Sequence, residues 1–393
     1  MPGVAVTGMG IISSLGTSTA EHLKALKSEK DGITTPEILE TSLDLPVAEI
    51  KLTNRELAEI LHISEPHACT RAALLGIHAV RQLLQHSGWE KFPEGTGFIS
   101  GTSVGGIDAT EKYYYEYAAE SSTRRFIKAQ HPGFTTDQIA GYFSLNSMVT
   151  TINTACSSAA NAIMQGARLI ESGKLKRVIV GGTDCLTRFT LNGFHSLKIL
   201  SETKNRAFDE DRDGLNLGEA AAFLMLEADE ACQTKNVLGR VAGYGNANDA
   251  FHQTASSENG EGAFLAIQKA LNKANVSASE IDYINAHGTG TINNDLSESH
   301  ALKRVFGEKV PTFSSTKGFT GHTLGAAGGV EAVFSLLAIQ HQLQFPNLNF
   351  KKPIKDTGLS PVTDLSSAKV NRVLSNSFGF GGNCTSLILS DND

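Results

Sequence analysis

The sequence predicts an α/β protein of two related halves, with helices packed on buried, mostly parallel sheets. Three observations predict it. Short β-type apolar runs alternate with amphipathic helical runs along the chain. The order strand, small-residue loop, helix, strand, double glycine, strand occurs twice, which divides the chain roughly into 1–235 and 236–393. Hydrophobic residues make up 40% of the 393 and charged residues 19%, enough apolar material for a large core.

The elements follow in order. Val4–Thr7 reads as a strand entering a turn at Gly8, Gly10 and Gly16, and Ala20–Leu26 as a helix. Residues 34–61 read as irregular. Cys69–Leu84 carries Ala72, Leu75, Ile77, Val80 and Leu83 at helical spacing. Gly97–Ser100 is a strand running into GTSVGG. Residues 107–134, with YYYEY and TRRFIK, predict an excursion over the surface. Val149–Asn153 is a strand, Ser157–Ser172 an amphipathic helix, and Arg177–Val180 a strand stopped by Gly181 and Gly182. A polar insertion at 183–218 precedes the strand Ala221–Leu226. In the second half, Tyr283–Ala286 and Thr312–Ser315 are strands and Gly325–Gln340 is a helix. Val373–Ser375 is a strand, GFGG a sharp turn, and Thr385–Leu389 the last strand.

Composition narrows the function. Lys plus Arg is 34 against 41 Asp plus Glu, a formal net charge of -7, which argues against general nucleic-acid binding. The five cysteines are irregularly spaced without a C-x-x-C, as expected of reduced thiols in the cytoplasm. No secretory signal is evident, and no continuous apolar stretch approaches the ~18 residues of a membrane span.

Cys156 lies in TACSS, between a strand and the first turn of a helix. The helix dipole and free N–H groups there favour a thiolate, and the residue reads either as a nucleophile or as a buried structural thiol. His287 follows a strand in NAHGTGT, and His322 ends KGFTGH just before a helix. Each alone reads as a turn residue; two such loops in equivalent places, beside a helix-capped cysteine, read as a site. Zinc is discounted for want of ligand spacing. The Gly-rich turn of NSFGFGGN exposes N–H groups that could stabilise an oxyanion together with the N–H of Cys156.

TACSS, NAHGTGT, STKGFTGH with LGAAGG, and NSFGFGG, in this order, resemble the β-ketoacyl-acyl-carrier-protein synthases of the elongating type I/II branch. VAVTGMGIISSLG, GTSVGG, RAFDEDRDGLNLGE and GYGNANDAFHQT extend the resemblance over nearly the whole chain. The resemblance implies a thiolase-like fold, layered α-β-α-β-α, with the nucleophile in 1–235 and two catalytic histidines in 236–393. It implies decarboxylative condensation of a malonyl carrier thioester with an acyl group on Cys156. His287 and His322 match the decarboxylation pair, Lys317 the family lysine, and Glu298 the acidic partner of that lysine. Phe380 matches the oxyanion and gating residue, Thr289 and Thr291 the pantetheine-binding threonines, and Val104 a wall of the acyl pocket. No cofactor is implied beyond the phosphopantetheine of an acyl carrier protein, and the assembly implied is a homodimer or a heterodimer with a related subunit. A basic docking surface is expected, with Arg124, Arg125, Lys128, Lys204 and Arg206 as candidates; Arg206 has Asp209–Asp213 as an alternative partner. The chain departs from the family at Asn383-Cys384, where Thr-Asn is usual, and at Gly218–Ala222. The departures point to a specialised role such as polyene or polyketide-like synthesis. A non-catalytic partner subunit and a thiolase are the competing readings.

Overall fold

The computed structural model describes residues 3–64, 68–232 and 236–392. Its strands are β1 Val4–Ser13, β2 Gly97–Gly101, β3 Val149–Ile152, β4 Arg177–Asp184, β5 Ala220–Glu227, β6 Gly239–Asn248, β7 Tyr283–Asn285, β8 Thr312–Ser314, β9 Leu343–Gln344, β10 Ser366–Ser367, β11 Arg372–Phe378 and β12 Asn383–Ser390. The main sheet has the order β3-β2-β4-β5-β1-β6-β12-β11-β7-β8, and β9 pairs with β10 apart from it. Reading outward from the β1–β6 seam gives β1, β5, β4, β2, β3 one way and β6, β12, β11, β7, β8 the other. With β9 and β10 set aside, each arm takes its first, fifth, fourth, second and third strands in turn.

The pairing senses repeat as well. In each arm the two pairs next to the seam are antiparallel and the two outer pairs are parallel. The sheet is therefore mixed, a correction to the mostly parallel expectation. The seam itself is antiparallel and short, with Val4, Ala5 and Val6 opposite Val241, Arg240 and Gly239. The expected division between 235 and 236 falls at residues 233–235, outside the described residues.

Helices complete five layers. Ser158–Glu171 and Ala327–His341 form the middle layer, sharing one apolar cluster with Val180, Leu224, Phe334 and Leu387. Helix Arg71–Ser87 covers the outer face of the first arm through Leu75, Ile77, Phe98 and Phe223. Helix Glu261–Ala274 covers the second through Ile267, Leu271, Leu374 and Ile388. Every residue from Ala327 to Ile339 is buried. The segment Leu324–His341 is 18 residues long with mean hydropathy 1.2, so one helix does reach spanning length and apolarity, but 89% of it is buried as the core helix.

Glycines explain where strands were misjudged. β1 runs on through Gly8 and Gly10 where a turn was expected, because a Cβ on Gly10 would sit 2.1 Å from the Ala79 carbonyl oxygen of the covering helix. Its counterpart β6 uses Gly245 likewise, 2.1 Å from Ala266 O. These glycines let a helix lie close on a sheet. β4 likewise continues through Gly181, whose Cβ would meet Ala222 O at 2.0 Å.

Candidate active site

The nucleophile turn follows β3. Ala155 has φ +52°, in the left-handed region, at a cost of roughly 1–2 kcal/mol for a residue with a Cβ. Serines brace this bend: Ser158 Oγ accepts from Thr154 N (2.9 Å), and Ser157 Oγ donates to Thr154 O (2.7 Å). Cys156 is left 6% exposed, and the main-chain N–H groups of Phe380 and Cys156 itself favour its anion. Gly379 makes that approach possible, since its Cβ would lie 2.6 Å from Thr154 O and 3.2 Å from Cys156 N.

Burial pushes the Cys156 thiol up to about 11, against the Lys317 ammonium and the Phe380 N–H, which favour the anion; Asp184 adds to the rise. This corrects the expected thiolate. A helix terminus supplies at most about 2 kcal/mol, roughly 1.5 pH units, and burial outweighs it.

The histidine loops are held by buried carboxylates. Glu298, on helix Ile292–Phe306, accepts from His287 N (2.9 Å), Gly288 N (2.8 Å) and Asn376 Nδ2 (3.0 Å). Burial pushes its carboxyl up to about 7 against those three bonds. Asp295, one turn earlier, accepts from Thr289 N (2.9 Å), Gly290 N (3.1 Å) and Phe208 N (2.7 Å). Thr289 and Thr291 face each other, Oγ1 to Oγ1 2.9 Å.

Lys317 bonds His287 O (2.6 Å), His287 Nδ1 (3.3 Å) and the Glu331 carboxylate. Its acidic partner is thus Glu331, on the buried helix Ala327–His341, and not Glu298 as expected. Glu298 organises the His287 turn from the opposite side.

These contacts decide the ring tautomers. An ammonium only donates, so His287 Nδ1 is an acceptor and its proton sits on Nε2. His322 Nδ1 accepts from Leu324 N at 3.1 Å, which again leaves the proton on Nε2. Burial, reinforced by the Lys317 charge, holds both imidazoles well below the ordinary histidine range, so both are neutral at pH 7. The rings stand edge to face, 5.4 Å between centroids at 87°.

A cavity of ≈ 230 Å³ brings together Cys156, His287, His322, Thr289, Thr291 and Phe380. The Phe380 ring stacks on Phe194 at 5.7 Å and 17°. Val104 stands back from the wall, packed on the cluster of Val47, Leu186, Leu191, Leu215, Leu217 and Leu324. Of these, Leu215 also lines the cavity. Among the described residues no group of three His, Cys, Asp or Glu side chains is placed to hold a metal ion. Of the basic candidates, Lys204 pairs with Asp31 (2.8 Å) and Arg206 with Asp213 (3.3 Å), while Arg124 and Arg125 lie over the Tyr117 and Phe126 rings. Besides the two site histidines, Lys198 and His252 line the cavity.

Two family models match the chain: the beta-ketoacyl synthase N-terminal domain over residues 1–231 and the C-terminal domain over 238–351. The chain belongs to the β-ketoacyl synthase family. It is 39% identical over 334 residues to 3-oxoacyl-[acyl-carrier-protein] synthase 2 of Rhizobium meliloti, covering 79% of this chain and 78% of that one. It is 32% identical to the Vibrio cholerae protein of that name, over 98% of both. Among solved structures it resembles the ishigamide ketosynthase/chain length factor, with TM-score 0.93 and 29% identity over 99% of both chains. It also resembles a ketosynthase in complex with its chain length factor from Xenorhabdus doucetiae, with TM-score 0.85 and 31% identity over 99% and 98%. The synthase is an acyltransferase of the thiolase-like fold.

Reading the sequence missed three residues that shape the site. Glu331 was legible as the one charge in the apolar run GGVEAVFSLLAI. Asp295 and Asn376 lie in the matched motifs NND and NSFGFGG, but their roles were not legible there, since Asp295 also reaches Phe208 N and Asn376 acts on the Glu298 carboxylate.

Proposed function

We propose that this synthase extends an acyl chain by decarboxylative condensation. The Cys156 sulfur attacks the carbonyl of an acyl thioester delivered by an acyl carrier protein, and the carrier thiol leaves with a proton. A malonyl carrier thioester then occupies the cavity and loses carbon dioxide. The electron pair moves onto its thioester oxygen, where the Nε2–H groups of His287 and His322 would stabilise the enolate. The enolate carbon attacks acyl-Cys156, the carbon–sulfur bond breaks, and the departing sulfur takes a proton from solvent. Thr289 and Thr291 would bond the pantetheine arm, and the N–H groups of Cys156 and Phe380 would hold the oxyanion of each tetrahedral intermediate.

One observation carries the reading. Two neutral imidazoles, both fixed as Nε2–H donors, share a cavity with the Cys156 thiol and the Phe380 turn. Donors fixed before charge develops stabilise the transition state without reorganising. Acylation and decarboxylation both need such donors.

The growing chain is of the fatty-acid, polyene or polyketide type. The phosphopantetheine arrives on the carrier, and the synthase needs no cofactor of its own. We place it in the cytoplasm, acting as a homodimer or beside a related subunit; two structural relatives are described with chain length factors. An inert partner subunit is the second reading. The complete set of Cys156, His287, His322 and Lys317 favours the condensing enzyme. The thiolase reading needs a second reactive cysteine, whereas burial pushes Cys384 far above the usual thiol range.

The test is intact-protein mass measurement after mixing with an acyl carrier, with carbon dioxide release from a malonyl carrier measured in parallel. Cys156 should gain the acyl mass, and Cys156→Ala should lose both label and condensation. His287 and His322 variants should lose decarboxylation more than acylation. Normal condensation by Cys156→Ala would refute the reading.

A further inference from the structure

The oxyanion donors sit on two turns far apart in sequence. Cys156 N–H belongs to the Thr154–Ser158 bend, and Phe380 N–H to the glycine turn between β11 and β12. Neither turn fixes the other through a strand ladder, since β3 is an edge strand at one end of the sheet and β12 lies beyond the seam. Some contact must therefore set their separation, because a donor displaced by about 1 Å no longer serves.

Asn383 touches both turns. Its main-chain oxygen accepts from Gly379 N at 2.8 Å, closing the loop that carries Phe380. Its side-chain oxygen accepts from Asn161 Nδ2 (2.9 Å), in the first turn of the nucleophile helix, and lies 2.8 Å from the hydroxyl of Ser157, the residue after Cys156, whose single proton it shares with Thr154 O. The same oxygen accepts from Asn246 Nδ2 of β6 (3.0 Å). Asn161 Oδ1 in turn accepts from Asn246 (2.9 Å) and Thr385 (3.0 Å). The network is mostly buried and joins the nucleophile helix to two strands of the other arm. It is centred on a position where the sequence departs from the usual Thr of the family.

We propose that Asn383 is a positioning residue for the oxyanion hole, locking the Phe380 turn to the Cys156 turn so that both N–H groups converge on one point. The assignment rests on the condensing-enzyme reading for its catalytic consequence. Its geometric part, the hold of one turn on the other, can be tested without substrate.

The experiment compares Asn383→Leu with Asn383→Asp in the full chain. Leucine matches the size and accepts no hydrogen bond; aspartate retains an acceptor for Asn161, Asn246 and Ser157. Acylation of Cys156 by an acyl carrier is followed by mass, decarboxylation by carbon dioxide release, and alkylation of Cys156 by iodoacetamide at pH 8 by peptide mass. Asn383→Leu should acylate about 10²-fold more slowly, the loss seen when one oxyanion donor is removed. It should also alkylate Cys156 more slowly, because the thiolate loses the Phe380 N–H, while decarboxylation changes less than about threefold. Asn383→Asp should keep acylation within about tenfold of the unaltered protein.

Wild-type rates of acylation and alkylation in Asn383→Leu would overturn the proposal. So would an equal fall of acylation, decarboxylation and melting temperature in both variants, which marks ordinary packing. If the unaltered protein takes no acyl group on Cys156, the functional reading fails, and the alkylation comparison still decides whether Asn383 sets the Phe380 N–H against the sulfur.

Discussion

Replacing Lys317 by Met separates two jobs of one side chain. Lys317 and Glu331 are both buried, 2% and 3% exposed at the side chain. Removing the cation alone strands the carboxylate, and breaking a buried pair in this way costs about 3–5 kcal/mol. Adding Glu331→Gln removes the stranded charge and keeps an acceptor for Ser377 Oγ, so the double variant should recover most of that loss. The chemistry should not recover with it. Without the ammonium at Nδ1, His287 is free to carry its proton there, and its Nε2 becomes an acceptor facing the enolate. One lost donor is worth about 10²–10³ in rate, close to 2.7–4 kcal/mol of barrier. Urea unfolding measures the first quantity, and carbon dioxide release from a malonyl carrier thioester measures the second. Stability should therefore fall and return across the series while decarboxylation falls and stays down. A double variant that regains full decarboxylation would refute the tautomer argument and leave Lys317 as a counter-ion only.

Three further outcomes follow from the same geometry. His287 and His322 stay neutral in the fold, whereas unfolded imidazoles take up protons below about 6.5, so their contribution to stability is present above that pH and lost as pH falls below it. Glu298, pushed up to about 7, has the opposite sign, its folded form binding more protons than its unfolded form between about 4.5 and 7. The unfolding midpoint should accordingly drop less between pH 7 and 5 in His322→Gln than in the unaltered protein, and matching drops would count against the assignment. Gly379→Ala should lose about 10²-fold or more in acylation, since its Cβ would strike Thr154 O at 2.6 Å and push the Phe380 turn outward. Gly381→Ala, at φ +83° with nothing within 4 Å, should cost only roughly 1–2 kcal/mol of stability, and equal acylation defects in the two would contradict the reading.

Much of this was legible before any coordinates. TACSS, HGTGT, KGFTGH and GFGG are short because each is a turn, and the chemistry of a turn depends on contiguous small residues. Such signals survive in a single sequence. What did not survive was anything carried between elements. The partner of Lys317 was assigned to Glu298, which lies near His287 in sequence, whereas the fold delivers Glu331 from a helix whose apolar character disguised it. The sequence reading assigns no element to GRVAGYGNAN, which forms β6, and its Gly243 and Gly245 serve the close approach of the covering helix. Val104 matches an acyl-pocket position by resemblance, and in the fold it packs on the cluster of Leu186, Leu191 and Leu215 and is absent from the lining of the cavity that holds Cys156. Asn383 reads from sequence only as a departure, because its meaning lies in contacts drawn from positions 157, 161 and 246.

The clearest conflict between local and tertiary physics is at Cys156 itself. Helix position argued for a thiolate, and burial decides for a thiol. With the thiol near 11, only about one molecule in 10⁴ carries the anion at pH 7. Neither histidine relieves this in the resting site, because each Nδ1 is already accepting a hydrogen bond and each Nε2 already holds a proton. The free thiol is therefore kept quiet by the same contacts that ready the imidazoles as donors. Alkylation of Cys156 by iodoacetamide should rise about tenfold per pH unit from 7 toward 10. A plateau reached by pH 8 would mean that the helix dipole and the two N–H groups outweigh burial, and would reinstate the standing thiolate that the sequence alone suggests.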